Sequence, residues 1–268
     1  MNKVISIHDK KELESYFRKN APLHIYSLGD LDDFYWNNTV WYGLRNESGL
    51  QVVVLLYTAV NPPVFIALCD DEEINLMKEL MKEIFYLLPN RFYSHLSPCL
   101  EKFFKRKFSL SQNGNYCKML LDKDKINFDA DPDDVQRLTI KDVDSLNVLY
   151  AESYPDNSFD PRMIETGMYF GMKENKKLIS VAGVHVFSKQ YRVAALGNIT
   201  TDRDHRGKGL GTKVTMRLCR ELVNHADIIG LNVSINNISA IRCYEKIGFR
   251  RIALYNEFMV EKVVPIIE

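Results

Sequence analysis

A single run carries most of the chemistry legible in this chain of 268 residues: His205, Arg206, Gly207, Lys208, Gly209, Leu210, Gly211 and Thr212. Glycines at alternate positions give a backbone that can come close to a ligand. A strand-like apolar run over 193–201 precedes them, and a helical pattern over 210–223 follows. The first turn of a helix leaves N–H groups without partners and carries a partial positive charge. Phosphate oxygens suit such a place. Arg206, Lys208 and Lys213 add formal charge. The run reads as a cradle for a pyrophosphate.

The order of the glycines separates the phosphate binders. A P-loop needs Gly-x-x-x-x-Gly-Lys-Ser/Thr, whereas Lys208 lies between glycines. A dinucleotide fold needs Gly-x-Gly-x-x-Gly, and Thr212 stands where the third glycine belongs. What remains is Arg206-x-x-Gly209-x-Gly211. Downstream, a strand-like run over 228–235 puts Leu231, Val233 and Ile235 on one face. The spacing Asn237-x-x-Ala240-x-x-x-Tyr244-x-x-x-Gly248-Phe249 follows. Asn236 or Asn237 can cap a short helix there, Ile238, Ile241 and Ile247 give it an apolar stripe, and Gly248 can end it.

Taken together, the two motifs resemble those of the GNAT superfamily of N-acetyltransferases, over roughly residues 135–262. The approach Gly197, Asn198, Ile199, Thr200, Thr201 is similar to the glycine N-acyltransferase-like branch. The resemblance implies an acyltransferase that moves an acyl group, most simply acetyl from acetyl-CoA, onto the amine of a small molecule or amino-acid-like acceptor, without a metal. It implies that main-chain groups of Ile199, Thr200 and Thr201 hold the pantetheine arm. Arg206, Gly207, Lys208, Gly209, Leu210, Gly211 and Thr212 would take the pyrophosphate, and Asn237 would touch the arm from across the cleft. Tyr244 would give the departing thiolate its proton, a phenol being protonated at neutral pH. Histone-type members carry a Glu at the position of Ala195, and no carboxylate occupies this strand. A water chain is the default base, with Glu152, Asp156 and His185 as substitutes. A lone histidine in a strand is ordinarily structural. Two other functions stay open: an acyl-CoA sensor without chemistry, which Tyr244 argues against, and a tRNA-dependent aminoacyl transferase, which the CoA-type loop and the charge argue against.

The elements that must position these residues fill only the second half. In the first half, 41–44, 51–58 and 64–68 read as strands, 72–88 as a helix, 92–96 as a strand and 98–107 as a short helix. Residues 113–115 read as a turn into a strand over 116–121. This order echoes the second half, with Phe103 falling on Tyr244, Lys107 on Gly248 and Phe108 on Phe249. The expected architecture is α/β: two tandem acyl-CoA N-acyltransferase-like domains, each a mostly antiparallel twisted sheet flanked by helices. Domain 1–125 would be degenerate, 126–134 a charged linker and 135–268 the catalytic domain. Asp70, Asp71, Glu72 and Glu73 stand where the second half has glycines and bases, and would repel a pyrophosphate.

Composition narrows the classes further. Lys and Arg number 35 and Asp and Glu 35, a balance that argues against binding nucleic acid through bulk charge. No apolar run approaches a membrane span, and residues 1–4 lack a signal-peptide core. Five scattered cysteines indicate neither a metal site nor a disulfide framework, which points to the cytoplasm.

Overall fold

Runs of β-branched and aromatic residues alternate with amphipathic stretches along the whole chain, and each becomes the element its period favours. The structure is a computed structural model that describes residues 1–105, 108–126 and 134–263. The first half holds β1 (Lys3–Ser6), α1 (Lys10–Phe17), α2 (Ile25–Gly29), α3 (Asp33–Trp36), β2 (Thr39–Asn46), β3 (Gly49–Tyr57), β4 (Val64–Ala67), α4 (Ile74–Ile84), β5 (Arg91–Leu96), α5 (Glu101–Phe104) and β6 (Phe108–Leu121). The second holds β7 (Gln136–Arg137), α6 (Val143–Ser153), β8 (Phe170–Glu174), β9 (Lys177–Ser188), β10 (Val193–Thr201), α7 (Leu210–Leu222), β11 (Ile228–Ser234), α8 (Ile238–Ile247) and β12 (Phe249–Lys262). The fold is mixed α/β, its sheet mostly antiparallel and flanked by helices.

Contacts divide the chain into two compact units. The first comprises Met1–Lys118, Ser234–Asn236 and the chain from Ala253 on; the second comprises Met119–Val233 and Asn237–Ile252. The break therefore falls inside the long strands β6 and β12 and not at the expected linker, of which 127–133 lie outside the described residues. The part of the last strand from Ala253 on thus groups with the first unit, while Phe249–Ile252 stays with the second. Two further expectations are corrected. Residues 113–115 form no turn, because β6 runs unbroken through Gly114 at φ +152°. The short helix expected over 98–107 is confined to Glu101–Phe104 among the described residues. Lys107 lies outside them.

In the first unit the strands run in the order β1-β2-β3-β4-β5-β12. Every join is antiparallel except β4 with β5, which is parallel. Helix α4 turns Met77, Leu80, Met81 and Ile84 inward onto Val52, Val54, Phe65 and Phe92. Phe258 and Val260 of β12 complete that core. Asp70 and Glu73 form a capping box ahead of α4. The acidic run thus has a structural use.

The second unit orders its strands β11-β10-β9-β8-β7, antiparallel except β10 with β11. Helices α6 and α7 pack on β9 and β10. The succession strand, strand, strand, helix, strand, helix, strand occurs in both halves, with the parallel join after the third strand each time. Phe103 lies in α5 as Tyr244 lies in α8.

Candidate functional site

Strand β10 pairs with β11 only from Val193–Ile228 to Leu196–Leu231. Beyond that point its free edge comprises Gly197, Asn198, Ile199, Thr200 and Thr201. On its other side the register with β9 jumps from Gly197–Gly183 to Thr200–Val181, so Asn198 and Ile199 have no partner there either. Asn198 takes a left-handed φ of +53°, a turn that a short polar side chain tolerates. It is held in place: its carbonyl accepts from the Tyr150 hydroxyl at 2.8 Å and its Nδ2 donates to the Tyr169 hydroxyl at 3.0 Å. The Asn198 Oδ1 is buried with no hydrogen-bond partner among the described residues. The strand end thus offers main-chain groups at Ile199 that no neighbouring strand consumes.

Helix α7 begins where β10 ends. Gly207 and Gly209 adopt φ +78° and +79°, and a Cβ at either would meet nothing within 4 Å. They are glycines for their backbone conformation and not for lack of room. Gly211 differs, since its Cβ would lie 3.4 Å from the Thr201 Oγ1, which lets the first turn settle on the strand end. Gly209 is the N-cap and no side chain caps the helix, so the first N–H groups are left for another acceptor. Arg206 is exposed, but its guanidinium donates to the Thr201 carbonyl at 3.2 Å and to the Ser153 carbonyl at 3.0 Å. It ties the loop to β10 and α6. Lys208 is exposed, and Lys213 pairs with Asp134 at 3.1 Å.

The loop is anchored one turn earlier by a charge cluster that sequence reasoning missed. Asp202 is 4% exposed, and its carboxylate meets the His205 Nδ1 at 2.8 Å and the Lys177 Nζ at 2.9 Å. The His205 hydrogen bond, then that of Lys177, hold the Asp202 carboxyl well below its ordinary range. Asp202 and then Glu174, 3.0 Å from the Nε2, raise His205. The signal was present as Asp202-x-Asp204-His205, a short helical turn begun by an aspartate.

Tyr244 lies on α8 and is 8% exposed. Its ring packs edge-on against Phe249. Burial pushes that hydroxyl well above the ordinary phenol range, with Cys243 and Tyr154 adding to the effect. It therefore carries its proton at neutral pH. Helix α8 meets the first turn of α7 through Cys243, whose Sγ is 3.2 Å from the Thr212 Oγ1. Asn237 is exposed, and its Oδ1 caps α8 at the amides of Ala240, 3.2 Å away. Of the substitutes for a base, Glu152 is exposed and bound to Lys177 at 3.2 Å, and Asp156 is exposed. Ala195 is fully buried.

Residues 138–249 match the model of the acetyltransferase (GNAT) family, which covers both motifs and the elements between them. Aminoglycoside N(6')-acetyltransferase type 1 of Klebsiella pneumoniae is 39% identical over 61 residues, which is 22% of this chain and 30% of that protein. The match thus spans under a third of that relative's length. The X-ray structure of a Drosophila protein superposes at a TM-score of 0.71, with 13% identity over 99% of each chain. A tandem GNAT protein from the clavulanic acid biosynthesis pathway superposes at 0.56, with 13% identity over 99% of each. At such identity the two structures speak to the fold, and they cover both halves. Among the described residues no helix is long and apolar enough to cross a membrane, and no group of His, Cys, Asp and Glu is placed to hold a metal.

Proposed function

We propose that the chain is an acyl-CoA-dependent N-acyltransferase that moves acetyl from acetyl-CoA to the amine of a small molecule. One observation carries the reading: an uncapped helix opened by left-handed glycines begins at the end of a strand that has parted from its parallel neighbour. The two features together fit a ligand with an extended, strand-like arm and a pyrophosphate. The unconsumed main chain at Ile199, with Thr200 and Thr201 beside it, pairs with the arm and polarises the acyl carbonyl. The amides of Gly207, Gly209, Leu210, Gly211 and Thr212 take the phosphate oxygens, with Lys208 supplying charge. Arg206 holds the loop and Asn237 the start of α8. The donor supplies a thioester carbon; Tyr244 protonates the sulfur as it leaves. Within the family, the approach over 197–201 favours the glycine N-acyltransferase-like branch, and the scattered free cysteines favour the cytoplasm. Amino sugars join amino acids among the acceptors to try, because one relative matched over 61 residues is named for aminoglycosides.

Calorimetric titration with acetyl-CoA tests the donor. Gly209→Asp keeps a residue that tolerates left-handed φ but sets a carboxylate against the phosphates. Affinity should fall at least tenfold, about 1.4 kcal/mol. Unchanged affinity in the folded variant rejects the cradle. Tight acetyl-CoA binding with no acetylation across a broad amine panel would favour the sensor instead.

A further inference from the structure

We propose that His185, on β9, is the general base that takes the proton from the acceptor amine, an inference that rests on the acetyl-transfer reading above. In the register of β9 with β10, Val186 faces Ala195 and Val184 faces Leu196. The register skips His185 between them, which makes it the extra residue of a β-bulge. Bulges re-aim a side chain and recur beside active sites. From Leu178 to Ser188 every residue of β9 is buried except His185, which is half-buried. Its ring lies flat against Gly197: a Cβ there would stand 1.9 Å from its Cδ2 and 2.2 Å from its Nε2. A side chain at 197 would expel the ring, so the glycine and the bulge together make one imidazole seat.

The seat is where a base is needed. Gly197 is the first residue of β10 beyond its pairing with β11, and Ile199, whose main chain faces the acyl carbonyl in the proposed complex, lies two residues on. Two residues span at most about 7 Å, and the left-handed turn at Asn198 shortens that reach, so an amine nitrogen fits between imidazole and carbonyl, directly or through one water. No other group on these strands exchanges protons near neutrality. Residues 193–201 of β10 and 228–234 of β11 contain no ionisable side chain, and β9 has only Lys177 besides His185. From outside the strands, Tyr150 and Tyr169 face Asn198, and burial pushes both hydroxyls well above the ordinary phenol range. Glu152 is occupied by Lys177. The step balances: the amine N–H proton passes to the imidazole, the nitrogen bonds to the thioester carbon, the carbon–sulfur bond breaks, and the sulfur takes the proton of Tyr244. The imidazole then returns its proton to solvent, and the Tyr244 phenolate takes one back from solvent, which restores both groups.

The test uses the full chain with acetyl-CoA and a panel of glycine, lysine, ethanolamine and kanamycin as amine probes. His185→Gln preserves a hydrogen-bonding side chain and should lower kcat/KM at least tenfold, with acetyl-CoA affinity by calorimetry unchanged. In the wild-type protein kcat/KM should fall on acidification as the imidazole protonates, and the variant should lose that limb. Adding imidazole to His185→Ala should restore part of the rate, which a merely structural histidine would not permit. As a readout independent of turnover, the ring resonances of His185 in the wild-type protein should shift when acetyl-CoA is added. Wild-type kcat/KM and an unchanged pH profile in His185→Gln would overturn the assignment while leaving acetyl transfer standing. Ring resonances indifferent to bound acetyl-CoA would overturn it too, even if His185→Gln fails to fold. Failure of the wild-type protein to bind acetyl-CoA would instead reject the acetyl-transfer reading, and this inference with it.

Discussion

Tyr244 is a buried residue whose hydroxyl keeps its proton at neutral pH. A phenol in that state is kept for a step or is only packing, and Tyr244→Phe separates the two. The ring and its contact with Phe249 survive the change, so acetyl-CoA affinity should stay nearly constant. A positioned acid contributes about a hundredfold to ten-thousandfold; kcat should fall at least tenfold even where water substitutes in part. Wild-type turnover with chemistry rate-limiting would make Tyr244 packing. The glycines of the loop were legible from sequence because left-handed φ at a helix start is a local demand. The work of Arg206 was not, because its acceptors are carbonyls at Thr201 and Ser153, one of them distant in sequence. The setting of His185 was not legible for the same reason: a bulge in β9 and a facing glycine on another strand make it.

A short helix bounded by buried titratable groups shows how local structure responds to pH. Helix α2 begins after His24 and ends before Asp30, both about 5% exposed. Burial, then the nearby Lys118, lowers His24 from 6.5 to about 3. Burial alone raises Asp30 from 3.8 to about 8. His24 therefore contributes stability above its unfolded value that is lost as pH falls through 6.5 toward 3. Asp30 is protonated in the folded chain, so its contribution is present below about pH 4 and is lost as pH rises toward 8. In Asp30→Asn that loss disappears. The difference in unfolding free energy between the variant and the wild-type protein should grow in the variant's favour by about 1.4 kcal/mol per pH unit between about pH 4 and 8. Urea denaturation at pH 5, 6.5 and 8 measures it, and a constant difference would place Asp30 in water. The strands and long helix over 41–96 and the strands and helices over 178–248 were legible from hydrophobic period and turn residues, whereas β1, α1, α2 and α3 were not. The exact extent of β6 was not, since Asn113 and Gly114 have turn-forming composition and yet the strand runs through them.

The division of the whole molecule was the least legible feature, because no local signal says that a strand late in the chain belongs with residues near its start. Asn256–Glu261 of β12 pair with Leu96–Arg91 of β5, and Phe258, 6% exposed, packs in the core built around Phe65, Phe92 and Phe104. Phe258→Ala should cost about 3–5 kcal/mol, read from urea denaturation. A fragment of residues 1–125 should show no cooperative unfolding transition, since it leaves the edge of β5 open and its core short of Phe258 and Val260. A cooperative melt of that fragment would make β12 an accessory. The same late strand also sets a timetable. A ribosome delivers the first unit's residues early and its closing strand only near the end, on the order of ten seconds later at ordinary synthesis rates. Until then the nascent chain displays an unpaired strand edge beside a partly built aromatic core. Chaperones that shield such edges have a defined window in which to act, and a premature stop codon after β11 would release a protein whose first lesion lies in the half already made.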